Sequence, residues 1–239
     1  MKPFAIILII GSLFISKTSL AGDPVSFASF DELLKKYVSA KGNVNYKGFK
    51  SESAKLDEFC KSLEANPPKD SWTSAQKKAY WINAYNAFTI KLIVKHYPVE
   101  SIKKVVTKGQ PWKIKFFKIG EYAEDLDAIE HKILRKMGDP RIHVGIVCAS
   151  YSCPRLMNKA FTADNIDIDL NELAKGFVND PTRNKITADK LELSEIFNWF
   201  KGDFTKSGSL IDWLNKYSNV KISSGASISH LKYNWSLNE

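Results

Sequence analysis

Apolar residues recur along the chain mostly at helical spacing. Ser29-Phe30-Asp31-Glu32 reads as a capping box ahead of Leu33, Leu34, Tyr37 and Val38, which predicts a helix ended by Gly42. Val44-Asn45-Tyr46 reads as a short extended piece. Leu56, Phe59, Cys60 and Leu63 form the stripe of a second helix over 53–65, stopped by Asn66-Pro67-Pro68. Thr73-Ser74-Ala75-Gln76 opens a long helix that ends before Pro98. That helix carries two apolar stripes. Trp81, Tyr85, Phe88 and Leu92 form one, and Ala79, Ile82, Asn83, Asn86, Ile90 and Ile93 the other. A helix apolar on both sides is predicted to be buried nearly all round. Asn83 and Asn86 then lie inside, one turn apart, and a buried amide without partners costs about 1–3 kcal/mol. Either they bind neighbouring backbone and fix the packing, or one of them orients a catalytic group.

The second half predicts a mixture of strands and helices. Residues 105–106 and 113–119 read as strands between turns. Asp125 is expected to cap a helix over 126–137 with Leu126, Ile129, Ile133, Leu134 and Met137 on its apolar face. Glu130 falls inside that face and His131 on its flank. An acid placed there needs a partner, or its pKa rises. Gly138-Asp139-Pro140 turns the chain into a short apolar run, 141–148, which reads as a central strand. A helix over 164–178, a hairpin over 185–193 around Ala188-Asp189, helices over 195–204 and 209–217, and a strand over 228–237 complete the pattern. This order predicts an α+β single domain in which helices pack on a mixed or antiparallel sheet.

Three bulk features narrow the classes open to the protein. Lys2 precedes an apolar run, 4–15, and Ser19-Leu20-Ala21 supplies small residues at its exit, the pattern of a signal peptide over residues 1–21. The run is far short of the ~20 apolar residues that span a bilayer, and no later stretch qualifies. Cleavage would leave Gly22 as the first residue of a single domain over 22–239, periplasmic or secreted. Losing Lys2 and Lys17 takes the net charge from +9 to +7. The remaining lysines are scattered, with no basic run of five or more and no nucleic-acid motif, so they read as a solvated surface. No phosphate loop or dinucleotide fingerprint is present, and no cofactor is expected. Cysteines stand at 60, 148 and 153, an odd count in an oxidising compartment. Cys60 reads as a small buried hydrophobe.

Five separated stretches resemble one family. They are Gly42-Asn43-Val44-Asn45-Tyr46; Tyr80-Trp81-Ile82-Asn83-Ala84-Tyr85-Asn86-Ala87; Ile129-Glu130-His131-Lys132-Ile133-Leu134-Arg135; Asp139-Pro140-Arg141-Ile142-His143 running on to Val147-Cys148-Ala149-Ser150-Tyr151-Ser152-Cys153-Pro154; and Tyr233-Asn234-Trp235-Ser236-Leu237-Asn238. In this order they resemble the domain of unknown function 547 family, over about 30–238. The resemblance implies a relative of papain-type and transglutaminase-type thiol enzymes with rearranged strand order. The ending departs from the pattern, since relatives commonly carry an acid where Asn234 stands.

A thiol enzyme needs a thiolate, a base and a group that holds the base. Pro154 suits the first position of a helix, which would make Cys153 its cap, and Arg155 adds positive charge; both lower a thiol pKa. Cys148, at the end of an apolar strand, would be raised by burial. On a straight strand His143 lies ~16 Å before Cys148 and faces the other way. These readings select Cys153 as nucleophile, His131 as base, and Glu130, Asn83 or Asn86 as orienter. Three alternatives stand beside them: a Cys148–Cys153 disulfide, a Glu130–His131 network that only fixes the fold, and a zinc site of unusual spacing. The expected functions are therefore two. One is an exported thiol-dependent hydrolase or acyltransferase acting on an amide bond of a peptide or small molecule. The other is a non-catalytic envelope module.

Overall fold

A computed structural model describes residues 23–239; the expected signal segment and its cleavage site lie outside the described residues. Helix α1 (Ala28–Tyr37) leads through an isolated bridge between Val38 and Val44, with Gly42 at φ +84°, into α2 (Tyr46–Ser51) and α3 (Ser53–Ala65). A left-handed residue at that tight reversal favours glycine. Helix α4 (Ser74–His96) is closed at its start by the Thr73–Gln76 capping box, and 16 of its 23 residues are buried. It is the central element, with α2, α3 and α6 (Ile166–Val178) packed against it. Its weak amphipathicity in sequence reflects that position: nearly every face meets protein.

The chain is an α+β domain with a mixed sheet, as the element order predicts. Among the described residues the sheet has three strands, β1 (Lys185–Ile186), β2 (Lys190–Leu193) and β3 (Ser227–His230). The expected hairpin pairs β1 and β2 antiparallel, and β3 adds in parallel with Leu191 opposite Ile228. Only 227–230 of the C-terminal segment joins the sheet. Helices α7 (Ile196–Trp199), α8 (Lys201–Phe204) and α9 (Leu210–Asn215) lie between β2 and β3 in sequence. No described helix is long and apolar enough to cross a membrane.

Two predicted strand regions are not strands. At 102–104 and 111–113 the backbone makes single 3-10 turns, and 114–118 is irregular. Side-chain packing accounts for its apolar pattern: Phe117 stacks on Phe88 of α4 with centroids 3.9 Å apart. The predicted central strand over 141–148 instead begins with one helical turn, α5 (Ile142–Gly145). Asp139 Oδ1 accepts from the backbone N–H of Arg141 and from its side chain, which fixes the turn after Pro140. Downstream, the side chain of Asn86 bonds the backbone on both sides of Ile146. A side chain therefore satisfies groups that a neighbouring strand would otherwise have paired.

Candidate functional site

The site is assembled around α4 by two buried amides. Asn86 Nδ2 donates to the Gly145 carbonyl at 2.9 Å, and its Oδ1 accepts the N–H of Val147 at 3.0 Å. Asn83 treats Phe161 the same way, donating to its carbonyl at 2.8 Å and accepting its N–H at 3.1 Å. Both amides hold backbone, and neither lines the pocket described below. Asn86 fixes the approach to Cys148, and Asn83 fixes the chain after Cys153.

Between those anchors the cysteine loop is clamped by the C-terminal segment. Ser150 bridges Leu237, Tyr151 N–H donates to the Ser236 carbonyl at 2.6 Å, and Ser152 N–H donates to the Asn234 carbonyl at 3.2 Å. Asn238 continues the clamp: its N–H donates to the Ala149 carbonyl, and its Oδ1 accepts from the buried Tyr46 hydroxyl. The first and last of the five sequence stretches thus meet at the cysteine loop. Ala149 sits at φ +61°, a conformation that costs a non-glycine residue about 1–3 kcal/mol and clusters at functional sites. The side chain of Asn234 accepts from Ser236 N–H and Oγ, so it caps a local turn and faces no catalytic group.

Cys148 and Cys153 are joined as a disulfide, with Cα atoms 6.4 Å apart. The two sulfurs are not equivalent. Cys148 is half-buried, whereas Cys153 is 4% exposed. Cys153 Sγ receives the Cys148 N–H at 3.1 Å, Cys148 Sγ lies 3.3 Å from Ser150 Oγ, and the Tyr233 hydroxyl stands 3.3 Å from Cys153 Sγ and 3.4 Å from Cys148 Sγ. The helix expected to start at Cys153 is absent, because 154–157 has no regular structure. Arg155 points elsewhere, to Glu172 and the Ala40 carbonyl. The cation beside Cys153 is Arg183, whose Nε donates to its carbonyl at 3.2 Å.

The disulfide borders a pocket of about 270 Å³. One wall comes from the helix over 126–137, whose middle, Ala128–Leu134, is wound as a π-helix, a distortion frequent at functional sites. It presents Asp127, Glu130 and His131. Burial pushes the Glu130 carboxyl up to about 7, only partly offset by the Tyr85 hydroxyl that donates to it at 3.1 Å. Burial also lowers His131, against the pull of Asp127; its Nδ1 lies 2.9 Å from Arg135 Nη1. The opposite wall is aromatic, with Trp112, Trp199, Tyr233 and Trp235 in mutual contact.

His143 corrects the strand argument. It lies on α5 rather than on an extended strand, and it lines the same pocket as both cysteines. Its ring stacks on Phe200 with centroids 4.0 Å apart, and its Nε2 meets Asp203 Oδ2 at 2.9 Å. Burial drives His143 down to about 4 in spite of Asp203. Asp203 is held below its ordinary range because its bonds from Arg135 and His143 outweigh burial. At neutral pH the pair is therefore a neutral imidazole donating to a carboxylate.

Residues 69–178 match the family model described as "Protein of unknown function, DUF547". The match is narrower than the resemblance over 30–238. It contains the stretches at 80–87, 129–135 and 139–154, and leaves out those at 42–46 and 233–238. No curated protein and no solved structure matches the chain.

The matched segment supplies Tyr85, Trp112, Glu130, His131, His143 and both pocket cysteines; the chain beyond it supplies Trp199, Phe200, Tyr233 and Trp235. Asp203 and Tyr233 were not singled out from sequence. They lie 60 residues from His143 and 80 from Cys153; no local motif marks Asp203, and Tyr233 opens the last of the five stretches without a spacing that ties it to the cysteines. Among the described residues, no group of three or more His, Cys, Asp or Glu is placed to hold a metal ion.

The Glu130 shift has a measurable consequence. Its folded pKa stands above its ordinary value of 4.5, so the folded state holds the proton more tightly. The associated stability is present below about 4.5 and is lost as pH rises through about 7. His143 acts oppositely, losing stability as pH falls from 6.5 towards about 4. Comparing parent with Glu130→Gln isolates the first effect. The variant should gain melting temperature relative to the parent between pH 5 and pH 8, as checked by paired thermal melts. A difference independent of pH would contradict the raised pKa.

Proposed function

We propose that the protein is an exported thiol-dependent hydrolase or acyltransferase acting on an amide bond of a peptide or small molecule. The observation that carries the reading is the meeting of both cysteines, Glu130, His131 and His143 in one aromatic-walled pocket, with Asp203 bonded to His143. In the reduced form His131, once its Nδ1 gives up the bond from Arg135 Nη1, takes the proton of Cys153, and the thiolate attacks the amide carbonyl. The Cys148 N–H and the Tyr233 hydroxyl support the thiolate. Protonated Glu130 delivers its proton to the departing amine, leaving a thioester that water or a second amine resolves. The aromatic wall holds the substrate. Export to the periplasm or the medium, with Gly22 as the new N-terminus, belongs to the same reading.

The disulfide favours a second reading, a non-catalytic envelope module with a rigid pocket. Turnover separates the two. Reduced parent should cleave members of a panel of peptide amides, and Cys153→Ala should not. Glu130→Gln should lower turnover by about 10²-fold or more. Reduced parent that performs like Cys153→Ala over the whole panel, while still retaining ligands, would leave the binding module.

A further inference from the structure

We infer that the Cys148–Cys153 disulfide is a reactive group that exchanges with a small peptide thiol entering the pocket and oxidises it. This does not depend on the hydrolase reading. A disulfide that only staples a loop can lie anywhere on it, whereas here both sulfurs border the pocket. The sulfurs are also differentiated as exchange requires. Cys148 is the more accessible and is the one an incoming thiolate reaches. Cys153 is almost fully buried, with the Cys148 N–H aimed at its sulfur at 3.1 Å, and the Tyr233 hydroxyl lies between the two sulfurs, 3.3 Å from Cys153 Sγ and 3.4 Å from Cys148 Sγ. Those donors stabilise the charge that appears on Cys153 when the bond breaks, and a stabilised thiolate leaves faster. Strained Ala149 and the C-terminal clamp hold the loop so that the sulfurs stay at the pocket.

A thiolate R–S⁻ attacks Cys148 Sγ, the Cys148–Cys153 bond breaks, and the electron pair passes to Cys153 Sγ. The product is a mixed disulfide on Cys148. A second R–S⁻ attacks the R sulfur of that bond, releasing R–S–S–R and the Cys148 thiolate. The two protons given up by the thiols return to the cysteine sulfurs. Two thiols are oxidised, and one protein disulfide is reduced. The pocket volume suits a thiol the size of a short peptide, whose side chains rest against Trp199 and Tyr233. Cys60 takes no part: it is buried in the helical core, and burial pushes its thiol up to about 12.

The test uses the oxidised mature protein without air and reduced glutathione as the probe. Oxidised glutathione should form at one equivalent per protein. Acid quenching and peptide mapping during the reaction should find the transient adduct on Cys148. Cys153→Ser, challenged with oxidised glutathione, should hold the same adduct stably. Tyr233→Phe should slow exchange, because a Cys153 thiol of higher pKa leaves more slowly. A disulfide that survives glutathione in the native protein and opens only in denaturant would overturn the inference. So would an adduct on Cys153, or a protein recovered as a dithiol that oxidised glutathione does not close. Amide turnover is read separately, so failure here leaves the hydrolase reading to its own test.

Discussion

Asn86→Leu is expected to lower the melting temperature by roughly 6–12 °C. The substitution is nearly isosteric but leaves two buried backbone groups, the Gly145 carbonyl and the Val147 N–H, without the partners they now have. Each unsatisfied group costs about 1–3 kcal/mol, so the pair costs on the order of 3 kcal/mol. In a domain of this size each kcal/mol shifts the midpoint by ~2–4 °C. Asn83→Leu strips the N–H and carbonyl of Phe161 and should cost a similar amount. The two should differ in a second respect. Val147 precedes Cys148, so Asn86→Leu should also alter thiol exchange at the pocket, whereas Asn83→Leu should leave it closer to the parent. Thermal melts with a glutathione exchange assay check both statements. Parent-like melting of both variants would contradict the anchoring role given to the amides.

These two asparagines also show what sequence can and cannot reveal. Their burial was legible because the apolar positions of α4 wrap around the helix and leave no polar face on which an amide could rest. Their partners were not legible. Nothing local states that Asn86 bonds the backbone at 145 and 147, and that bonding is what lets 141–148 avoid a sheet. A short apolar run carries no periodicity to separate a strand from a packed turn followed by extended chain. Reading it as a strand moved His143 away from the cysteines, although it shares their pocket.

Helix boundaries were more legible, because caps and prolines are local signals. The Thr73–Gln76 box and Pro98 bracket α4, and Asn66-Pro67-Pro68 stops α3. In the site, Cys148, Cys153, Glu130 and His131 stood out by residue type and position. Asp203, Arg183 and Tyr233 did not, because their proximity is made by the fold rather than by spacing. Arg155 illustrates the converse: it is adjacent in sequence to the cysteine loop, yet its guanidinium bonds Glu172. The structure brings Arg183 to Cys153 instead, from 30 residues away.

The account rests on Cys153 being the sulfur that carries negative charge readily. Burial alone raises a thiol, as at Cys60, and nearby donors and cations lower it. At Cys153 the Cys148 N–H and the Tyr233 hydroxyl are the donors that reach the sulfur. The direct measurement is the ultraviolet thiolate absorbance of the reduced protein against pH. It is made in the Cys60→Ser, Cys148→Ser background, so that Cys153 alone titrates and access to a reagent does not matter. The account predicts a single ionisation with a midpoint below the ordinary thiol value, shifted upward by Tyr233→Phe. A midpoint at or above the ordinary ~8.5 that Tyr233→Phe does not move would contradict it.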